Sequence, residues 1–216
     1  MKLDEIRNEV IGIIQDQSYS PDAVTGYINQ ALSYCAGVID IPEHKRVFTV
    51  STITGQAYIP LQDQINSFGG RVRRAKYDGA DLKIMPSLDA LLDDYEALED
   101  EGDLEAVALE GRTLWYQKIP EEVTSILILC YVNPEPLSVS NQEPSWIPEH
   151  VQRKLLVNGA CSYIFDQVEE EDSNKPVTNL HRRTAFDDRR NDSGITEFRS
   201  WIAKNRPSLG YSCWRF

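Results

Sequence analysis

The sequence has no run of about 18 consecutive apolar residues, the least that would span a membrane as a helix, so no membrane partner is expected. It has no GxGxxG, no phosphate-cradling Walker loop, no GxSxG and no HExxH, which leaves no local signature of a dinucleotide enzyme, an NTPase, a serine hydrolase or a zinc protease. Cysteine is scarce, and Cys35, Cys130, Cys161 and Cys213 lie far apart without a CxxC pair. A zinc site is therefore not expected. The first three stand in apolar surroundings and read as small core residues made in a reducing cytosol. His44, His150 and His181 fall in three separate segments, so no histidine-based catalytic group is signalled. No catalytic residue, cofactor or metal is expected. Positive charge is also short: 22 Lys and Arg face 34 Asp and Glu, a net charge of −12. Such a chain is poorly suited to gripping DNA, which needs basic side chains to displace counterions from phosphates. The opening Met1-Lys2-Leu3-Asp4-Glu5 is acidic and amphipathic, unlike a secretory leader. There is no internal repeat.

What is present suits a folded protein. Over 216 residues, 41% are hydrophobic and 26% charged, which excludes a disordered chain, a collagen or a coiled-coil rod. Leu3, Ile6, Val10, Ile13 and Ile14 recur at helical spacing over 3–16. Ser20-Pro21-Asp22 then starts a second helix, with serine as N-cap and proline in the first turn. The period changes at Pro42. Residues 46–52 and 57–59 read as strands, and 71–77 and 80–85 flank Asp78-Gly79, a preferred hairpin turn because both positions need positive φ. A short helix is predicted over 87–98, followed by strands over 105–110, 112–119 and 125–132. The last is the most apolar run and reads as a central strand. Helical period returns at Pro148-Glu149. A final long helix is predicted from Pro176 to Lys204, with Asn191–Gly194 as the place for a kink or break. The expected class is α+β: an antiparallel helical bundle from 1–42 and 144–204, an inserted antiparallel β-module (sandwich or small barrel) over 43–143, and an extended tail over 205–216.

Three charge and aromatic features stand out. Nine acids and no base fall in residues 87–105, among them Asp93, Asp94, Glu99, Asp100, Glu101 and Asp103. They fit a solvated helix and loop, or a wall that repels a polyanion; the calcium-loop signature is missing. Arg71, Arg73, Arg74 and Lys76 form a basic stretch, with strand alternation placing Arg71 with Arg73 and Arg74 with Lys76. They fit edge-strand protection or pairing with acids of a neighbouring copy. A second basic cluster, Arg182, Arg183, Arg189 and Arg190, lies in a C-terminal region where eight bases outnumber four acids. Finally Tyr211, Trp214 and Phe216, with Arg215, follow a proline and a glycine. Three large aromatics there would fold back on the bundle or enter a partner's cleft.

The order of motifs resembles the head-to-tail adaptor (connector) proteins of tailed bacteriophages, the short-tailed type above all. The likeness rests on the N-terminal helix pair followed by Thr52-Ile53-Thr54-Gly55-Gln56-Ala57-Tyr58-Ile59-Pro60, and on Gly111-Arg112-Thr113-Leu114-Trp115-Tyr116-Gln117-Lys118-Ile119-Pro120. It continues in Ile126–Tyr131 with Pro134-Glu135-Pro136-Leu137, and in Pro144-Ser145-Trp146-Ile147-Pro148-Glu149. It spans most of residues 3–170. The resemblance implies a structural virion protein, not an enzyme, in a homo-oligomeric ring of twelve copies beneath the portal protein. The helical bundle would form the ring and face the portal, and the β-module would meet a tail nozzle or tube protein. Double-stranded DNA would pass through the channel during ejection without sequence-specific binding. Portal docking would fall to Trp201, Tyr211, Trp214, Arg215 and Phe216, while Arg71, Arg73, Arg74 and the six acids named above would line subunit interfaces or the channel. The protein would reside in the virion neck, after assembly in the host cytoplasm. Two other readings are a tail-associated cell-wall hydrolase, which needs two placed carboxylates, and a DNA-binding packaging or regulatory protein, which the acidic balance opposes.

Overall fold

Ser20 acts as the sequence predicts: its Oγ accepts a hydrogen bond from the Ala23 N–H at 3.2 Å, and Pro21 begins the helix behind it. In the computed structural model the described residues are 1–16, 18–61, 68–95, 98–111 and 113–205, with backbone alone for 68–71. The described residues pack as two units, one of Met1–Ile39 with Pro134–Asn205, the other of Asp40–Asn133. The class is α+β, as the sequence predicts.

The first unit is helical. Its elements are α1 (Leu3–Ile14), α2 (Pro21–Val38), α4, α5 (Pro176–Phe186) and α6 (Gly194–Asn205). Helix α4 runs through Glu149–Gln152, a π turn at Arg153–Val157, and Asn158–Val168. It is the hub of the unit. Leu155, Leu156 and Val157 are all buried, three in a row, because the π turn packs against α1, α2, α5 and α6. Gly159 makes the tightest crossing: a Cβ there would lie 2.8 Å from the Ala31 Cβ and 2.7 Å from the Phe186 Cζ. The proline-containing segment before α4 is pinned by Asn29, whose side chain donates to the Leu137 carbonyl at 2.9 Å and accepts from the Leu137 N–H at 2.7 Å.

The long helix predicted from Pro176 to Lys204, with a kink or break at Asn191–Gly194, is two helices: the break spans residues 187–193 and α6 begins at Gly194. Asp187 leaves α5 in extended conformation, and its carboxylate accepts the Arg189 N–H at 3.1 Å. Ser193 Oγ then accepts the Thr196 N–H at 3.4 Å and opens α6. Short polar side chains here offer the backbone alternative partners, which is why an uninterrupted helix loses.

The second unit is a seven-stranded sheet in the order β1-β7-β3-β4-β5-β6-β2. The strands are β1 (Lys45–Ser51), β2 (Tyr58–Pro60), β3 (Phe68–Tyr77), β4 (Ala80–Met85), β5 (Ala106–Glu110), β6 (Thr113–Tyr116) and β7 (Ser125–Val132). Asp78 (φ 45°) and Gly79 (φ 79°) form the predicted turn between β3 and β4. All seven strands feed one apolar core, from Val50 on β1 to Ile59 on β2, so the sheet rolls its two ends around it. One pair departs from the predicted antiparallel pattern: β4 and β5 run parallel, joined by helix α3 (Leu88–Asp94). A parallel pair needs such a crossover, and α3 covers the outer face there through Leu91, packed on Met85, Ala106 and Ala108. Helix α3 is shorter than the predicted 87–98. Strand β7 is flanked by β1 and β3, yet its apolar run is buried on one face only. Ile126, Ile128 and Cys130 are inside, while Leu127 is 38% exposed.

Tyr116 lies wholly inside this core, and among the described residues its hydroxyl has no hydrogen-bond partner. Burial pushes its phenol well above the ordinary value. An unpaired buried hydroxyl costs about 1–3 kcal/mol. Tyr116→Phe is therefore expected to raise stability by about 1 kcal/mol, read as a higher urea midpoint at unchanged slope. A lower midpoint would show that the hydroxyl is satisfied.

Candidate functional site

The basic strand β3 lies between β7 and β4 in the strand order. It pairs with β7 on one side, but on the other β4 pairs only with Ala75–Tyr77, so Lys76 lies inside the sheet while Arg71, Arg73 and Arg74 precede the β4 ladder. A register shift between Val72 and Arg74 makes Arg73 an extra residue and breaks the alternation predicted for Arg71, Arg73, Arg74 and Lys76. Arg74 and Lys76 stand opposite Leu129 and Leu127. Arg71 pairs with Tyr131 through its backbone, and its side chain lies outside the described residues. Arg73 donates to Asp40 at 2.8 Å, and Arg74 makes two bonds to Asp81, both at 2.6 Å. The Arg74 guanidinium holds the Asp81 carboxyl below its usual range, and the Asp40 hydrogen bond holds Arg73 above its own. These exposed pairs add little to stability, but they occupy both arginines within the chain.

The acidic segment forms α3 and the connection to β5. Its backbone is held by residues 117–119: Ile119 N–H donates to the Asp100 carbonyl at 2.8 Å, Gly102 N–H to the Ile119 carbonyl at 3.0 Å, and the Gln117 side chain to the Asp103 carbonyl at 3.1 Å. The side chains of Asp93, Glu99, Asp100, Glu101 and Asp103 are exposed. Asp94 is also exposed and pairs with Lys83 at 2.6 Å. Glu96 and Arg112 lie outside the described residues. Among the described residues no three His, Cys, Asp or Glu side chains are gathered as metal ligands would be.

On the helical unit, Trp201 is half-buried at the C-terminal half of α6. It stacks on Phe198 with centroids 6.3 Å apart, and Phe198 in turn meets Trp146 at 5.9 Å. Tyr211, Trp214, Arg215 and Phe216 lie outside the described residues, as does Cys213. Burial pushes the Cys35 and Cys161 thiols up to about 12 and Cys130 up to about 11, so none is a thiolate at neutral pH.

An open groove of about 570 Å³ on this unit went unnoticed in the sequence. Its floor is aromatic: Phe186 lies 4.5 Å from Tyr34 and 6.2 Å from Tyr163, centroid to centroid. Arg182, Arg183 and Arg189 rim it. The basic cluster was readable, but Tyr34 and Tyr163 come from two other helices, and no local pattern brings them together.

What the two units present is surface: an aromatic groove rimmed by arginine, a charge-paired strand face and a solvated acidic connection. This is the layout of an assembly protein, one that works by fitting against neighbours. The chain belongs to the SU10 adaptor protein family, which matches it over residues 1–207. That family is a phage head-to-tail adaptor of the short-tailed type, a structural protein of the virion neck. A search of curated proteins returned no match. No helix among the described residues is long and apolar enough to cross a membrane.

Proposed function

We propose that this adaptor forms a homo-oligomeric ring of twelve copies beneath the portal protein, extends the DNA channel and carries the tail nozzle or tube. The family match over residues 1–207 carries this reading. Two separately packed units support it, since an adaptor must meet different partners on different faces. The helical unit forms the ring and engages the portal, with Trp201, Tyr211, Trp214, Arg215 and Phe216 as docking residues. The sheet unit serves the tail-side partner. Asp93, Asp94, Glu99, Asp100, Glu101 and Asp103 face the channel, where an acidic wall keeps passing DNA from adhering. Arg71, Arg73 and Arg74 stand near subunit contacts. Copies assemble in the host cytoplasm, and no reaction is needed at any step.

Sedimentation of the purified chain with and without portal rings tests this. The expected result is a discrete portal-bound complex holding twelve adaptors. Absence of any complex with the portal would overturn the proposal.

A further inference from the structure

The groove described above has a counterpart on the same helical unit. Helix α5 carries the groove residues Arg182, Arg183 and Phe186 on one face. Val177 and Leu180 lie on another, separated from it by the helical rotation of about 100° per residue. Leu180 is 63% exposed and Val177 36%. Val168, at the end of α4, is 64% exposed. It is held close to Val177 because the carboxylate of the next residue, Glu169, accepts the Val177 and Thr178 N–H groups at 3.1 and 2.8 Å. Exposed together at the α4–α5 junction, the three aliphatic side chains make a knob, with exposed Glu170, Glu171 and Asp172 in the connecting turn.

Each surface offers what the other lacks. The knob is apolar with an acidic turn. The groove is aromatic with an arginine rim. Arg182 leans toward Asp166 at 3.7 Å, but Arg183 and Arg189 have no acidic partner among the described residues, nor do Glu170 and Glu171 have a basic one. Asp187 and Asp188 line the groove beside Arg189, so its three arginines exceed its acids by one positive charge. Both surfaces belong to one packed helical unit, on different faces of one rigid helix, so a subunit cannot seat its own knob in its own groove. We infer that the knob at Val168, Val177 and Leu180 of one copy seats in the Tyr34, Tyr163 and Phe186 groove of the next. This heterologous contact repeats around a ring and closes by rotation. The inference rests on the ring proposed above and names the contact that builds it.

Charge reversal tests it, with portal-nucleated assembly read by sedimentation. Arg183→Glu with Arg189→Glu places like charge against the acidic turn, and Glu170→Arg with Glu171→Arg does the same from the knob. Like charges forced together across an interface are strongly unfavourable, so each pair is expected to raise the concentration for half-assembly by about a hundredfold. All four substituted residues are exposed, so the melting temperature should not move. A chain carrying all four reversals should recover most of the lost assembly, a rescue that general damage would not produce. Assembly of both reversed pairs at wild-type concentration, or failure of the fourfold chain to recover, would overturn this contact and leave the ring intact. Failure of the unaltered chain to oligomerise on the portal would overturn the ring and this contact with it.

Discussion

Removal of residues 206–216 is expected to abolish stable attachment to the portal while leaving the helical unit folded. The segment carries Tyr211, Trp214 and Phe216 and no acid. Burying one such ring, about 200 Å² at about 25 cal/mol per Å², contributes roughly 5 kcal/mol gross before the cost of ordering the chain. Binding energy concentrates in side chains of this kind. Trp214→Ala is accordingly expected to weaken portal binding by about a hundredfold or more, and Arg215→Ala by less than about tenfold. Co-sedimentation of each variant with portal rings gives the ratio. Equal losses for the two would contradict the aromatic anchor. Full binding by the shortened chain would remove the docking role from the tail altogether. Helical circular dichroism serves as the folding control, since α6 ends at Asn205.

Gly159→Leu is expected to cost about 3 kcal/mol or more and to lower the urea midpoint of the helical unit sharply. The obstacle on one side is the Ala31 Cβ, which cannot rotate away, so α2 and α4 would have to separate. The Phe186 ring on the other side is part of the groove floor, so the same change should disturb self-association as well as stability. Gly12 is the control. It too lies within a helix, but a Cβ there meets nothing within 4 Å. Gly12→Ala should stabilise by about 0.5–1 kcal/mol, because alanine loses less backbone entropy in a helix. The opposite signs at two helical glycines are the test. A neutral Gly159→Leu would show that the crossing yields.

The share of this architecture that could be read along the chain follows the range of the forces involved. Ser20 capping α2 needs only its neighbours, and so does Asp78-Gly79, whose two positive φ angles define the turn by themselves. The boundaries of β7 and the starts of the main helices followed from periodicity. The break foreseen at Asn191–Gly194 in the last helix is wider, over residues 187–193, for a reason that was local and present in the letters. Asp187 and Ser193 both capture nearby N–H groups, and their competition with the helix outweighed the apolar spacing around them. The alternation drawn for the arginine strand failed for a reason that was not local. The extra residue at Arg73 depends on how β7 lies alongside.

Portal docking was suggested only by the family resemblance, whereas the groove was invisible because its floor draws on α2, α4 and α5 together. The parallel β4–β5 pair was equally hidden, since nothing in either strand records the direction of its neighbour. By itself the sequence determined the class of fold, most helix starts, the β3–β4 hairpin and a family likeness carried by the order of short motifs, since these rest on propensity and spacing over a few residues. Tertiary structure alone decided the strand order, the pairing of Arg73 with Asp40, and the meeting of three aromatic rings beneath two unpaired arginines. Such contacts join residues far apart in the chain, and packing selects them only when the whole unit has closed.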